Sequence, residues 1–316
     1  MNTPTLQIQN LHKHYGKVHA VNDLSLEVLP GQVFGILGPN GSGKTTTLGI
    51  ILDVIKKKSG EYRWFGDLPS AESRKKIGAI LETPVFYPYL SAVDNLKIIA
   101  LIKGANESRI DAVLETVDLH ERRHDAFKGY SLGMKQRLAI ASALLADPEV
   151  MILDEPTNGL DPQGIAEIRQ LIIQIAQQGK TIILASHLLD EVQKVCSHFA
   201  VLKKGKLIYS GSVDEALTGT DTVEVAADDM NLLEETIQQF THTESVRPEK
   251  QFLRVRLTNN QNSVDLNRFL IERGIIVSHL SQRTNSLEQQ FLQILATDPT
   301  STNNSPLANQ TASNHA

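Results

Sequence analysis

Apolar and polar residues alternate with period two near the start of the chain, LSLEV at 24–28, as they do along a half-buried strand. Further on the alternation gives way to short unbroken apolar runs: VFGIL at 33–37, IGAIL at 77–81, VMIL at 150–153 and TIILA at 181–185. Such runs, separated by helical stretches, predict the strands of a parallel sheet covered on both faces. Between Pro84 and Pro148 the period lengthens to that of a helix. SAVDNLKIIALIKG opens on a Ser91–Asp94 capping box, and ESRIDAVLETVDL and SLGMKQRLAIASALL follow. This predicts a helical subdomain, 84–147, inserted into a unit that spans 1–218. From 221 to 295 the order TVEVA, a helix through LLEETIQQF, FLRVRL, a helix through VDLNRFLIERG, and IIVSHL predicts a small separate α/β module. No catalytic constellation lies in it. Residues 297–316, TDPTSTNNSPLANQTASNHA, lack large apolar groups and are expected to be a disordered tail.

Composition narrows the partners. The 316 residues, 41% hydrophobic, suffice for one sizeable core and a second domain. With 31 basic against 36 acidic residues there is no positive excess to displace counterions from a polyanion, so no nucleic acid is expected. The single cysteine, Cys196, excludes an intramolecular disulfide and fits a reducing compartment. It reads as a small buried apolar residue near a helix end. The amino terminus, MNTPTLQIQNLHKHYGK, lacks the basic segment and apolar run of an export signal. No stretch approaches the roughly 20 consecutive apolar residues that span a bilayer. A membrane role is therefore peripheral, with a partner supplying the spanning helices.

The predicted strands end in chemistry. Gly38-Pro39-Asn40-Gly41-Ser42-Gly43-Lys44-Thr45 follows a buried strand and precedes a helix, the context a phosphate loop requires. Its glycines let backbone N–H groups turn inward around a β-phosphate, and the helix amino terminus adds partial positive charge. Lys44 is placed to reach the β- and γ-phosphates, Thr45 to offer its hydroxyl to Mg2+, and Thr46 to touch the α-phosphate. The strand VMIL at 150–153 ends at Asp154 and Glu155. Adjacent acids at a strand end face different ways. Asp154 is thus expected to organise the waters of Mg2+, and Glu155 to act as general base on the attacking water. His187 follows TIILAS at a strand's carboxyl end, where α/β sheets gather ligands. It is suited to contact a γ-phosphate, although a histidine opening a helix also serves as a plain polar cap. Tyr15 offers a flat ring for an adenine base, and equally fits an edge strand.

A second anion-facing helix end stands at 129–138, GYSLGMKQRL. Ser131, Leu132 and Gly133 open that helix, so their N–H groups and the Ser131 hydroxyl are available to a negative group. The phosphate loop already encloses one side of a bound nucleotide. The second end is therefore free to meet the γ-phosphate carried by another copy.

Taken in order, GPNGSGKTT, YSLGMKQR, MILDEP, the NGLD turn at 158–161 and His187 resemble the ATP-binding subunit of ABC transporters, over about residues 5–218. The resemblance implies an α/β P-loop nucleotide-binding cassette with a mixed sheet and an inserted helical subdomain. It implies an ATPase that uses ATP and Mg2+, works as a dimer with a second ABC protomer, and drives an integral-membrane permease. Ser131 and Gly133 would belong to the signature that closes over the partner's nucleotide, and Asp161 to the turn that touches the opposite protomer. Three signature places depart from Leu-Ser-Gly-Gly-Gln: Tyr130, Leu132 and Met134. At 82, where the family has a Gln that meets Mg2+ and the permease, this chain has Glu82, which is also read as a surface-loop acid. LETPVFYPYL with YSLGMKQRL is similar to the bacitracin-resistance and lantibiotic-immunity exporters, with a separate permease chain. This implies a subunit on the cytoplasmic face of the cell membrane that powers export of peptide antibiotics or other amphipathic compounds. Phe86, Tyr87 and Tyr89 are apolar enough to dock a short permease helix, or to pack the subdomain. The alternative is an ABC-type ATPase acting as a regulatory module without a permease.

Overall fold

The computed structural model describes residues 3–81, 85–217, 222–258 and 261–283. Two long antiparallel strands, β1 (Leu6–Tyr15) and β2 (Val18–Val28), meet at a Gly16 turn, and β3 (Val33–Leu37) leads through the glycine loop into α1 (Lys44–Ile51). β4 (Ser59–Trp64) returns to pair with β1, giving a three-stranded antiparallel sheet of order β2-β1-β4. After α2 (Ala71–Lys75) and β5 (Ile77–Ile80) come the helices of the insert, α3 (Ala92–Lys103), α4 (Ile110–Thr116) and α5 (Leu132–Leu144). The chain then alternates: β6 (Val150–Asp154), α6 (Pro162–Gln177), β7 (Thr181–Ser186), α7 (Leu189–Val195), β8 (His198–Lys203), β9 (Lys206–Ser212) and α8 (Val213–Leu217).

The central sheet has the order β5-β6-β7-β3-β8-β9, parallel except for β9, so it is mixed. Every residue of β3, β6 and β7 is buried, as the unbroken apolar runs predict. Their alternate side chains feed two different cores. Val33, Leu37, Met151, Leu153, Ile182 and Leu184 join the helices α3 to α7 on one face. Phe34, Ile36, Val150, Ile152, Ile183 and Ala185 meet α1 and the antiparallel sheet on the other, around a fully buried Trp64. Burying a side chain of this size contributes about 1.5–3 kcal/mol, so the three strands pin the layers together.

A third core belongs to the carboxy-terminal residues. β10 (Thr222–Ala227), α9 (Met230–Gln238), β11 (Thr243–Pro248), β12 (Leu253–Leu257), α10 (Ser263–Glu272) and β13 (Val277–Arg283) form an antiparallel sheet of order β11-β12-β10-β13. Leu233, Ile237, Leu266 and Leu270 from the helices cover Val223, Val225, Leu253 and Val255. The sequence reading contains no strand at β11, whose TESVRP stretch is polar and ends in a proline. It lies at an edge of the sheet and pairs with β12 alone. Glu82 and the tail from 297 lie outside the described residues. Among the described residues, no helix is long and apolar enough to cross a membrane.

Candidate functional site

The loop between β3 and α1 is held open by its glycines. Gly43 has φ 108°, and a Cβ there would meet the carbonyl oxygen of Ala20 at 2.2 Å. Gly38 has φ 157°, and its Cβ would lie 2.4 Å from Leu202 O. β2 and the end of β8 thus press against the loop from outside. Gly205 N donates to Ser42 O (2.9 Å), and Asn22 N donates to Gly205 O (2.8 Å). Lys204 (φ 50°) and Gly205 (φ 80°) form the tight β8–β9 turn that makes these bonds. A glycine between two strand runs signals a turn in the sequence, but the contact of this turn with the loop is long-range.

Lys44 opens α1 and is buried, 6% exposed. Its Nζ donates to Gly38 O across the loop (2.7 Å) and lies 3.4 Å from Glu155 Oε1. The adjacent Ser42 is 2% exposed, and its hydroxyl has no hydrogen-bond partner among the described residues. A buried hydroxyl left unmatched costs about 1–3 kcal/mol. Beside an ammonium and a glycine cradle, that orphan oxygen fits a phosphate group. Thr45 is exposed and Asp154, at the end of β6, is buried, 5% exposed. One hydroxyl and one carboxylate, both hard oxygen donors, fit Mg2+ in its usual hydrated form.

Glu155 leaves β6 in the left-handed region, φ 48°, and its N–H donates to Ala185 O of β7 (2.9 Å). This bend separates it from Asp154. Its Oε2 lies 2.8 Å from His187 Nδ1, so one carboxylate is shared between Lys44 and His187. The structure therefore brings Gly38, Gly41, Gly43, Lys44, Glu155 and His187 to the carboxyl ends of β3, β6 and β7. Pro39, Asn40 and Thr46 belong to the same loop and helix start. Tyr15 sits at the tip of the β1–β2 hairpin, half exposed, with Lys13 Nζ 4.9 Å from its ring centre.

Ser131 and Gly133 are elsewhere. They line a pocket of about 470 Å3 with Asp118, Arg137, Asp161 and Glu167, and no phosphate-loop residue lines it. Ser131 caps α5, its Oγ accepting from Met134 N (3.3 Å), and a Cβ on Gly133 would meet nothing within 4 Å. Asp161 caps α6 by accepting from Gly164 N (2.8 Å). The departures in this stretch have local reasons. Tyr130 is buried and its hydroxyl donates to Arg122 O (2.7 Å). Leu132 lies beside Gly159 of the NGLD turn, 3.3 Å from where a Cβ would stand. Met134 packs against the helical core.

Arg137 was not singled out from the sequence. It bonds Val117 O (3.1 Å), Asp118 Oδ2 (2.9 Å) and Glu167 Oε2 (2.7 Å), tying α5 to α4 and α6. Cys196 is buried, and burial pushes its thiol far up from the ordinary value, so it is unreactive. Of the three aromatics of the insert, Phe86 leans on Phe127 with ring centres 5.0 Å apart. Tyr87 and Tyr89 are exposed and stand with Val85, Leu101 and Ile102 as exposed apolar side chains. A cleft of about 300 Å3 opens between Val85, Tyr87, Ile98 and Ile102.

The ABC transporter family matches residues 21–158. The chain is 37% identical to the uncharacterized ABC transporter ATP-binding protein YdbJ of Bacillus subtilis (strain 168), covering 93% of this chain and 96% of that protein. It is also 37% identical to the bacitracin transport ATP-binding protein BcrA of Bacillus licheniformis, covering 92% and 97%. Among solved structures it is similar to the dimeric, post-hydrolysis ATP-binding cassette MJ0796 bound to ADP and Pi, with TM-score 0.58 and 27% identity, over 66% of this chain and 98% of that one.

Proposed function

This chain belongs to the ABC transporter ATP-binding family, and on that premise we propose how its residues divide the work of binding and hydrolysing ATP to power a transporter. Gly38 to Thr46 hold the phosphates, with Lys44 on the β- and γ-phosphates. Thr45 and Asp154 hold Mg2+, which when bound neutralises phosphate charge. Glu155 takes a proton from the attacking water as the water oxygen bonds to the γ-phosphorus, the bond from that phosphorus to the β–γ bridging oxygen breaks, ADP leaves with the bridging oxygen and phosphate is formed, while His187 orients Glu155 and touches the γ-phosphate. Tyr15 supports the adenine.

The reaction needs two copies of the chain. Ser131 and Gly133 of one copy close over the γ-phosphate held by the other, and Asp161 contacts the opposite copy. The observation that carries this reading is the bare tip of α5, where Gly133 has open space around its Cα and no phosphate-loop residue of its own chain lines the pocket. A glycine without backbone or packing need there is explained by a visitor from outside. The two copies are identical, and they sit on the cytoplasmic face of a membrane against a separate permease. The permease docks a short helix on the exposed patch of Val85, Tyr87, Leu101 and Ile102. Since BcrA is a bacitracin transport protein by name, the cargo we favour is a peptide antibiotic or a similar amphipathic compound leaving the cell.

Ser131→Arg tests the arrangement. Fluorescent-nucleotide binding to the single chain is expected to persist, and ATP turnover to fall at least about 100-fold. Normal turnover in that variant refutes the sandwich.

A further inference from the structure

The helix after His187 has little of its own to fix it. α7 is seven residues long, and its amino end lacks a side-chain cap. It begins two residues beyond His187, so the imidazole goes where α7 goes. Packing fixes one face: Leu189, Val192, Val195 and Cys196 lie against the core, Val192 is fully buried, and a Cβ on Gly35 of β3 would meet its Cγ1 at 2.7 Å. The strand that feeds the phosphate loop and the helix that follows His187 are therefore in direct touch. The polar side of α7 is held separately from that apolar face.

Charge supplies that second anchor. Glu191, in the first turn of α7, is only 6% exposed. Arg169 of α6 grips it with both prongs of its guanidinium, Nη2 to Oε1 at 2.7 Å and Nε to Oε2 at 3.2 Å. A fork on a carboxylate fixes the plane of the pair as well as its distance, which a lysine in the same place does not do. The carboxylate in turn holds the Arg169 guanidinium above its ordinary value.

We infer that Arg169 and Glu191 are positioning residues for His187: their fork sets the roll of α7, and α7 sets the imidazole against Glu155. This rests on the reading in which His187 serves hydrolysis. Neither residue is near enough in sequence to the phosphate loop to be read as part of it. Arg169 and Glu191 stand 22 positions apart on different helices.

The test uses the full chain. Glu191→Gln removes the charge at constant size, and Arg169→Lys keeps the charge but removes the fork. Each is expected to lower kcat for ATP about 10-fold to 100-fold, with the Kd of a non-hydrolysable ATP analogue unchanged. In a His187→Ala background, itself slow, the same substitutions are expected to add nothing. The His187 ring resonance, identified by its loss in His187→Ala, is expected to move in Glu191→Gln. Exchanging the pair, Arg169→Glu with Glu191→Arg, should recover part of the turnover. Losses that multiply in the His187→Ala background, or an unmoved ring resonance, overturn the inference. Full turnover in His187→Ala alone overturns the role of His187 instead, and the ring resonance still decides whether the pair positions it.

Discussion

Two glycines in this chain exist for opposite reasons. Gly43 is required by its own fold, because its φ of 108° and the Ala20 carbonyl at 2.2 Å leave no place for a methyl group. Gly133 has neither constraint. Gly43→Ala is therefore expected to lower stability by at least about 2 kcal/mol in urea unfolding and to abolish nucleotide binding with it. Gly133→Asp places an acid in the first turn of α5, where a helix tolerates it, so stability is expected to stay within about 0.5 kcal/mol. Its turnover should nonetheless collapse, because in the proposed pair the new carboxylate faces a phosphate. Normal turnover in Gly133→Asp would take the phosphate away from this tip. At this scale the sequence was most legible where chemistry is local. The phosphate loop, Asp154, Glu155 and His187 each sit at the end of an apolar run that names its own strand. Arg137, Arg169 and Glu191 were not legible, because an arginine on a helix looks the same whether it meets water or a buried acid on another helix. The reason for Leu132 was hidden similarly, since Gly159 lies 27 positions along the chain.

Between elements, the bond from Arg137 to Glu167 joins the signature helix α5 to α6, the helix that Asp161 caps. The hydrogen bond from Arg137, then that from Gln163, holds the Glu167 carboxyl below its ordinary range. A carboxyl whose folded value is depressed stabilises the fold above its unfolded value, about 4.3, and ceases to do so as pH falls through the lower folded one. Glu167→Gln should therefore melt below the parent chain at pH 7, with the gap closing as pH falls below the unfolded value. A gap that is independent of pH in calorimetry would show that Glu167 acts by packing. Element types were read well where burial is two-sided. VFGIL is β3 residue for residue, two more runs fall on β6 and β7, and IGAIL falls on β5, an edge strand whose burial alternates. What the sequence concealed is order: β3 sits between β7 and β8, and β1 pairs with both β2 and β4. Those neighbours are chosen by packing across the sheet, which no local pattern records. The edge strand β11 escaped because an edge needs neither apolar alternation nor a full set of donors.

Across the whole molecule, the glycine loop at the end of β3 and the tip of α5 on the pocket around Asp161 lie apart in each chain, and in the proposed pair they meet as two halves of one catalytic centre. Their separation within one chain makes a heredity-style cross informative. A Lys44→Ala copy lacks the loop but keeps the tip, and a Ser131→Arg copy has the reverse defect. Each is expected to be inert when paired with itself. Mixed, they assemble one sound centre and one doubly spoiled centre per hybrid, so activity should return from two silent parents, and no amount of either parent alone should produce it.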